Sequence, residues 1–419
     1  MSEGLNPSPV PAVTIATKVV RRLQEAGFAS YFAGGCVRDG LMGRMPKDYD
    51  IATAAHPNDV VKLFPKSRKV GAAFGVILVF SGGRTVEVAT FRTDGVYEDG
   101  RRPSCVHFTN AKEDALRRDF SCNGLFFDPL TGTILDFVGG QQDIKDKLLR
   151  AIGDPARRFA EDHLRMMRAV RFAARLNFSI HCDTWAAMRT LAPNLRLISR
   201  ERIGQELRFM LTHSARVQAV DMLVRSGLLA QIWPVPIAAQ ATVSETKAWL
   251  AELPSEADIP TALVAMAHDV GLPGDISPAV AGHLQEALAL SGQERADIAW
   301  LLEKLPVLCD WRTLRLATLK RLMADPRFSG LLRIHQCAAA DPAEVEALRS
   351  HVAELAKQPI APPPYVTGND LISLGAPAGP NFRRWLEELY DRQLENEFSD
   401  KSSALAAAQK LIHAAQDEK

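Results

Sequence analysis

The chain has 419 residues, 47% hydrophobic and 24% charged, a length that predicts about three domains and a composition that excludes a largely disordered chain. Fifty Lys and Arg stand against 49 Asp and Glu, for a net charge of +1; this excludes a general polyanion binder, so any nucleic-acid contact must come from local basic patches. No apolar run reaches the ~20 residues that span a bilayer, and Met1 to Val10 lacks the charged-then-apolar form of a secretion signal, so a cytoplasmic protein without membrane contact is expected. The cysteines (Cys36, Cys105, Cys122, Cys182, Cys309 and Cys337) form no Cys-x-x-Cys pair and predict neither a zinc site nor a disulfide framework.

In chain order, an amphipathic helix is predicted over Ala16–Ala26, followed by a turn at Gly34-Gly35 and a helix opening at Val37-Arg38-Asp39. Lys47–Ile51 reads as a strand. Two apolar runs, Gly75–Phe80 and Thr85–Phe91, flank Ser81-Gly82-Gly83-Arg84 and read as a β-hairpin, because glycine accepts the positive φ of a tight turn. Thr93–Pro103 is a polar loop, either a lid or a surface excursion. From Asp154 onward strand signals nearly vanish, and Leu, Ala, Met and Arg recur at helical spacing, with arginine crowded between Arg150 and Arg208. A proline cluster (Pro359, Pro362, Pro363, Pro364) predicts a linker before a last helical segment. The expected organisation is an α+β region with a mixed sheet over 1–150, then helical regions over 151–215, 216–358 and 359–419.

Asp48 and Asp50 lie two apart, so on a strand both carboxylates leave one face. Such a pair repels unless a divalent cation such as Mg²⁺ joins it, or one member takes up a proton; taken alone it reads equally as a solvated turn. Gly34 and Gly35 just ahead, with Arg38 beyond them, supply close backbone approach and a cation for phosphate, which makes a triphosphate cradle beside a metal site. Glu87, among apolar residues on the second hairpin strand, is either a third acid near that metal or an exposed residue of a half-buried strand. Arg117-Arg118-Asp119 followed by Asn123 offers phosphate and ribose contacts but is unspecific as a tripeptide. Asp162, Arg165, Arg168 and Arg171 recur at intervals of three and form one helix stripe, with Leu164, Met167 and Val170 opposite. They read either as surface salt bridges or as a cationic face with an excess of charge that needs an anionic partner, in which Asp162 and Arg165 pair an acceptor with a donor able to read a base edge.

In sequence order, Tyr31–Asp39, Gly43–Thr53, Val86–Arg92, Arg117–Phe120, Glu161–Phe172 and Glu201–Leu207 resemble the motifs of the bacterial-type tRNA nucleotidyltransferase and poly(A) polymerase family, the class II branch of the polymerase-β-like nucleotidyltransferases. The resemblance covers roughly residues 15–212 and continues weakly at Thr367–Leu371 and Gly379-Pro380. It implies a nucleotidyltransferase head, a nucleotide-selecting neck, a helical body and a helical tail. It further implies Mg²⁺ held by Asp48 and Asp50 with Glu87 beside them, and a triphosphate on Gly35 and Arg38. Phosphate and ribose would lie near Arg118, Asp119 and Asn123, and a protein template for cytosine or adenine at Asp162 and Arg165, completed by Arg168 and Arg171. The implied substrates are the tRNA 3′ end, CTP and ATP, with no obligatory protein partner. Val70–Val76 lacks the basic run that similar poly(A) polymerases carry, and Asp99-Gly100-Arg101-Arg102-Pro103 keeps the loop tied to the switch from C to A addition; both favour CCA addition, with A-only addition left open. His268-Asp269, with His335 and Asp341 later, resembles the core of an HD phosphohydrolase but lacks a convincing first histidine, so a relic or plain packing is expected there. A hydrolase is the alternative of a different class. A non-catalytic RNA-binding module is disfavoured, because the metal-site acids are present.

Overall fold

A computed structural model describes residues 12–71, 75–95, 105–233, 248–270, 279–339, 341–377 and 379–417. The loop segment Asp99–Pro103, Ala72–Phe74 and Gly271 lie outside the described residues. The chain divides into two compact units, Met1–Glu245 with Glu286–Ala289, and Thr246–Gln285 with Leu290–Lys419.

The first unit opens with α1 (Ala12–Glu25), which starts four residues earlier than expected and buries Ile15, Ala16, Val19, Val20 and Leu23 on one face. Then follow β1 (Ser30–Ala33), α2 (Gly35–Leu41), β2 (Ile51–Thr53), α3 (Pro57–Leu63), β3 (Ser67–Gly71), β4 (Val76–Ser81), β5 (Arg84–Thr90), β6 (Arg92–Asp94), β7 (Val106–Phe108), α4 (Ala111–Leu116), β8 (Leu125–Asp128), β9 (Thr133–Asp136), α5 (Gly140–Lys145) and β10 (Leu148–Leu149). Seven strands make one mixed sheet in the order β3-β4-β5-β2-β1-β8-β9. Only β2 and β5 run parallel within it, in the register Ile51↔Val88. The β4–β5 hairpin forms where expected: Gly82 and Gly83 turn it with φ of 54° and 77°, the two positive values that a tight two-residue turn requires.

The predicted strand over Lys47–Ile51 is corrected to β2, which begins only at Ile51. Asp48 and Asp50 stand in the non-ladder segment that leads into it. That segment is polar and exposed, and Pro46 has no N–H to give a ladder; pairing starts with the Ala33 N–H, which donates to the Asp50 carbonyl at 2.9 Å.

Beyond β10 come α6 (Pro155–Glu161), α7 (Leu164–Leu176), β11 (Ser179–Ile180), α8 (Cys182–Leu191), α9 (Arg200–Leu211), α10 (Arg216–Arg225) and α11 (Leu229–Ile232). The short parallel pair of β10 and β11 is the one exception to the all-helical expectation among the described residues. The motif from Glu161 to Phe172 is not one helix. It breaks at Asp162, whose φ of −151° is extended and whose carboxylate accepts from the Leu164 N–H at 3.0 Å, starting α7 afresh. Leu164, Met167 and Val170 are buried as the stripe predicts. Helix α10 packs on both α7 and α9, so the expected boundary after residue 215 is not an edge of this unit.

The second unit is helical. It contains α12 (Trp249–Glu252), α13 (Ile259–Asp269), the larger part of α14 (Val280–Leu288), α15 (Gly292–Cys309), α16 (Leu316–Ala324), α17 (Phe328–Ala338), α18 (Pro342–Leu355), α19 (Gly368–Ser373), α20 (Pro380–Leu394) and α21 (Lys401–Asp417). Eight consecutive residues of α13, Pro260–Ala267, are buried, with α15 and α17 against them. The tail builds its own core from Val366, Leu371, Trp385, Leu389, Phe398, Ala404, Ala408 and Ile412. The proline cluster is strapped down rather than a free linker: the Tyr390 hydroxyl donates to the Pro362 carbonyl at 3.1 Å, and the Gln393 amide to that of Pro363 at 2.9 Å.

The His268-Asp269 pair does packing work, as expected. Asp269 accepts from the N–H groups of Trp249 and Leu250 at 2.8 and 2.9 Å, and the His268 ring stacks on Trp249 at 3.7 Å between centroids. Asp341 caps α18 through the Ala343 N–H, and His335 is buried within α17.

Candidate active site

The first unit holds a cavity of about 690 Å³ between its sheet and its helices. From the sheet side come Gly34, Gly35, Arg38, Asp50, Glu87, Arg118, Asp119 and Asn123; from the helical side come Asp162, Arg165, Arg168, Phe172 and Arg202. Motifs spread over 170 residues of sequence thus line one space. Asp48, exposed and close to Asp50 in sequence, and Arg171, whose guanidinium lies 4.3 Å from the ring centroid of the lining residue Phe172, stand outside the lining itself.

The register of β2 on β5, Ile51 opposite Val88, brings Asp50 level with Glu87. Both acids have raised pKa values. Desolvation is the main cause for Asp50, then the Asp48 charge, with Arg118 pulling the other way; for Glu87 it is desolvation, then the Asp50 charge, opposed by Arg92. Asp50 and Glu87, with Asp48 two residues before Asp50 in sequence, supply the hard carboxylate oxygens that a divalent cation takes. The residues fit the metal implied by the sequence.

Gly34 caps α2 with φ 72° and ψ −122°, and a Cβ there would stand 2.9 Å from Arg118 Nη1. The positive φ favours glycine, and the close approach shows that the Arg118 guanidinium lies against the turn. Arg38 is buried and donates to Asn123 Oδ1 at 2.6 Å and to Asp39 Oδ1 at 2.7 Å. Asp114, which sequence reasoning missed, receives Arg117 and Arg118 at 2.8 and 3.0 Å. Its burial would raise the carboxyl pKa, yet Arg117 and Arg118 outweigh that and hold it below the usual range. Its spacing of three and four from the two arginines within a helical stretch was the available signal.

Asp119 is buried and fully engaged. It accepts from the Phe120 N–H at 2.8 Å, from Asn123 Nδ2 at 3.1 Å and from Arg168 Nη2 at 2.6 Å. Burial alone would raise its pKa; Arg168 and the hydrogen bonds bring it below the usual value. Asp119 therefore anchors the helical side to the sheet side.

Each arginine of the α7 stripe has an acidic partner, which fits the ion-pair reading rather than the cationic face. Arg165 pairs with Glu161 at 2.6 Å, Arg168 with Asp119 at 2.6 Å and Arg171 with Glu206 at 2.6 Å. Asp162 is held by Arg202 at 2.7 Å rather than by Arg165. Arg202 and Glu206 were also missed. They sit one turn apart on α9 within the Glu201–Leu207 run, a spacing that puts both on one helix face.

Away from the cavity, His181, Cys182 and Asp183 bring three potential ligand atoms within 4.8 Å of one another. There His181 Nδ1 accepts from the Asp183 N–H at 3.3 Å and caps α8. Among the described residues no helix is long and apolar enough to cross a membrane.

Residues 30–150 match the family model described as "Poly A polymerase head domain", and residues 177–239 the one described as "Probable RNA and SrmB- binding site of polymerase A". A CCA-adding enzyme of Geobacillus thermodenitrificans is 45% identical over 219 residues, 52% of this chain and 54% of the relative; one of Lactobacillus helveticus is 46% identical over 192 residues, 46% of this chain and 48% of the relative. The chain spans about half the length of the curated relatives it matches. The crystal structure of the Bacillus stearothermophilus CCA-adding enzyme in complex with CTP superposes with a TM-score of 0.80 at 29% identity, covering 98% of this chain and 100% of that one. The Thermotoga maritima CCA-adding enzyme complexed with tRNA shares the fold, with a TM-score of 0.69 at 19% identity over 94% of each chain. The mixed-sheet head with its helical continuation is thus of the polymerase-β-like nucleotidyltransferase class. Within it, residues 30–150 and 177–239 carry the head and RNA-binding segments of the class II family of CCA-adding enzymes and poly(A) polymerases, a metal-dependent family.

Proposed function

We propose that the chain is a CCA-adding tRNA nucleotidyltransferase, which extends the 3′ end of tRNA with C, C and A from CTP and ATP without a nucleic-acid template. The observation that carries this reading is that one cavity joins the mutually repelling acids Asp50 and Glu87 to the aligned pair of Asp162 and Arg165. Mg²⁺ held by Asp48 and Asp50, with Glu87 alongside, would supply charge neutralisation for the triphosphate and activation of the attacking hydroxyl. Gly34 and Gly35 admit the triphosphate to the backbone, and Arg38 and Arg118 offer it their guanidinium groups. Asp119 holds Arg168, and Asn123 holds Arg38, in place.

Selection follows from the edges of the bases. Cytosine and adenine each present an amino donor beside a ring-nitrogen acceptor, whereas uracil and guanine present a carbonyl and an N–H there. Asp162, held through Arg202, accepts from the amino group, and Arg165, held by Glu161, donates to the ring nitrogen. The 3′-hydroxyl oxygen of tRNA then forms the new bond to the α-phosphorus as the bond to pyrophosphate breaks. This reading puts the protein in the cytoplasm with tRNA, CTP and ATP as its partners.

The test is incorporation of labelled CTP and ATP on tRNA ending at the discriminator base, at its C and at its CC. CCA addition predicts C on the first two and A on the third, with both activities lost in Asp50→Asn. Incorporation of A alone, on the CC-ended substrate only, would assign an A-adding enzyme, and A tails on diverse RNAs a poly(A) polymerase.

A further inference from the structure

Phe172 lines the cavity, and its ring gathers three guanidinium groups. Those of Arg171, Arg168 and Arg38 lie 4.3, 5.3 and 5.6 Å from its centroid, while Phe120 meets it edge-on at 6.0 Å. The arginines come from two elements, Arg38 from α2 and Arg168 and Arg171 from α7. Each of the three already has a carboxylate partner, Asp39, Asp119 and Glu206, so the ring's part is to fix where they converge rather than to cancel net charge. The negative face of an aromatic ring attracts each guanidinium group to one place, and an aliphatic side chain of similar size does not.

The contacts continue beyond the ring. Arg171 pairs with Glu206 on α9, and α9 also carries Arg202, which holds Asp162. A continuous set of contacts therefore runs from Arg38, on the triphosphate side, through Phe172, Arg171 and α9 to Asp162, on the base side. With cations gathered around it, Phe172 has no role as a stacking platform for a base.

We infer that Phe172 is a positioning residue that aligns the triphosphate-binding arginine with the base-reading pair, so that a nucleotide meets both halves of the cavity already in register. The inference rests on the reading of the cavity as a nucleotide site.

Its test compares Phe172→Leu with Phe172→Tyr and Phe172→Trp in the full chain, measuring CTP dissociation by calorimetry without tRNA, CTP and tRNA KM values in the incorporation assay, and thermal midpoints. Phe172→Leu should raise the CTP Kd and KM about tenfold, as expected when two or three ring–cation contacts are lost. It should also reduce the preference for CTP over UTP and leave the tRNA KM unchanged. The aromatic variants should stay near wild type. Phe172→Met provides the same comparison if the leucine variant does not fold. A lowered thermal midpoint with an unchanged CTP Kd would show that Phe172 only packs, and equal damage from leucine and tyrosine would exclude the ring's electrostatics; either result overturns the inference. Failure of the wild type to extend tRNA would instead overturn the proposed function, while CTP calorimetry would still decide the role of Phe172.

Discussion

Arg202→Ala is the perturbation whose outcome separates orientation from charge at the base-reading end of the cavity. In the folded protein Arg202 gives Asp162 two charge-assisted hydrogen bonds, at 3.3 and 2.7 Å, between side chains 21% and 13% exposed. Its loss leaves Asp162 with the Leu164 N–H as its one remaining hydrogen-bond donor among those described. At about 1.5–3 kcal/mol for hydrogen bonds to charged groups, reduced by the residual exposure, the alignment energy lost is about 2 kcal/mol. Since 1.4 kcal/mol corresponds to tenfold, kcat/KM for C addition should fall about 30-fold. Arg202→Lys keeps the charge but not the planar fork, so a fall of roughly threefold to tenfold is expected. Single-turnover incorporation on tRNA ending at the discriminator base, with CTP, ATP, UTP and GTP in parallel, measures both rate and choice. Wild-type selectivity and a kcat/KM within twofold of wild type in Arg202→Ala would refute the assignment of Asp162 as an oriented acceptor.

Three further outcomes follow from other parts of the structure. Asp114 and Asp119 both have pKa values below the ordinary carboxylate range in the folded chain; the unfolded chain thus binds more protons in acid, and their stabilisation is present above the unfolded pKa of about 4 and lost as pH falls through the lower folded values. The thermal midpoint of the first unit should hold from pH 7 to about 5 and then drop, with a shallower drop in Asp119→Asn. Gly34→Ala must place a Cβ against Arg118 at a positive φ; a stability loss of about 1–2 kcal/mol in urea unfolding and weakened CTP binding are expected. Asp269→Ala frees two N–H groups at the start of α12 and should destabilise the second unit without altering C or A addition; metal-dependent phosphate release that disappears in this variant would restore the hydrolase alternative.

The parts of the fold that depend on neighbours in sequence were legible in advance. The β4–β5 turn follows from Gly82-Gly83 alone, and the buried side of α7 from the spacing of Leu164, Met167 and Val170. Glu161, four residues from Arg165, was within reach of the sequence, but the partners of the other arginines were not, because they are long-range: Asp119 lies 49 residues from Arg168, Glu206 lies 35 from Arg171 and Asp162 lies 40 from Arg202. Counting only the acids near in sequence left a positive excess on α7 that the tertiary structure removes. The metal-site segment misled differently. Period-two spacing makes Asp48 and Asp50 share a face only on a strand, and an exposed run next to Pro46 has no ladder to hold it as one. Glu87 is exposed between buried Val86 and Val88, as its half-buried-strand reading expects, and the parallel register of β2 and β5 also brings it level with Asp50, which its sequence neighbours alone do not show.

Under the proposed function, the prior engagement of Arg38 by Asp39 and of Arg118 by Asp114 bears on turnover. A cavity lined with unpaired cations would retain pyrophosphate after each addition, and departure of product would then limit the cycle. Here each of those guanidinium groups has a carboxylate to return to, so on that reading the departing product should be the easier to release. The same carboxylates should make inorganic phosphate and stray polyanions weak competitors for the cavity, since any such ion must displace an acid already in place.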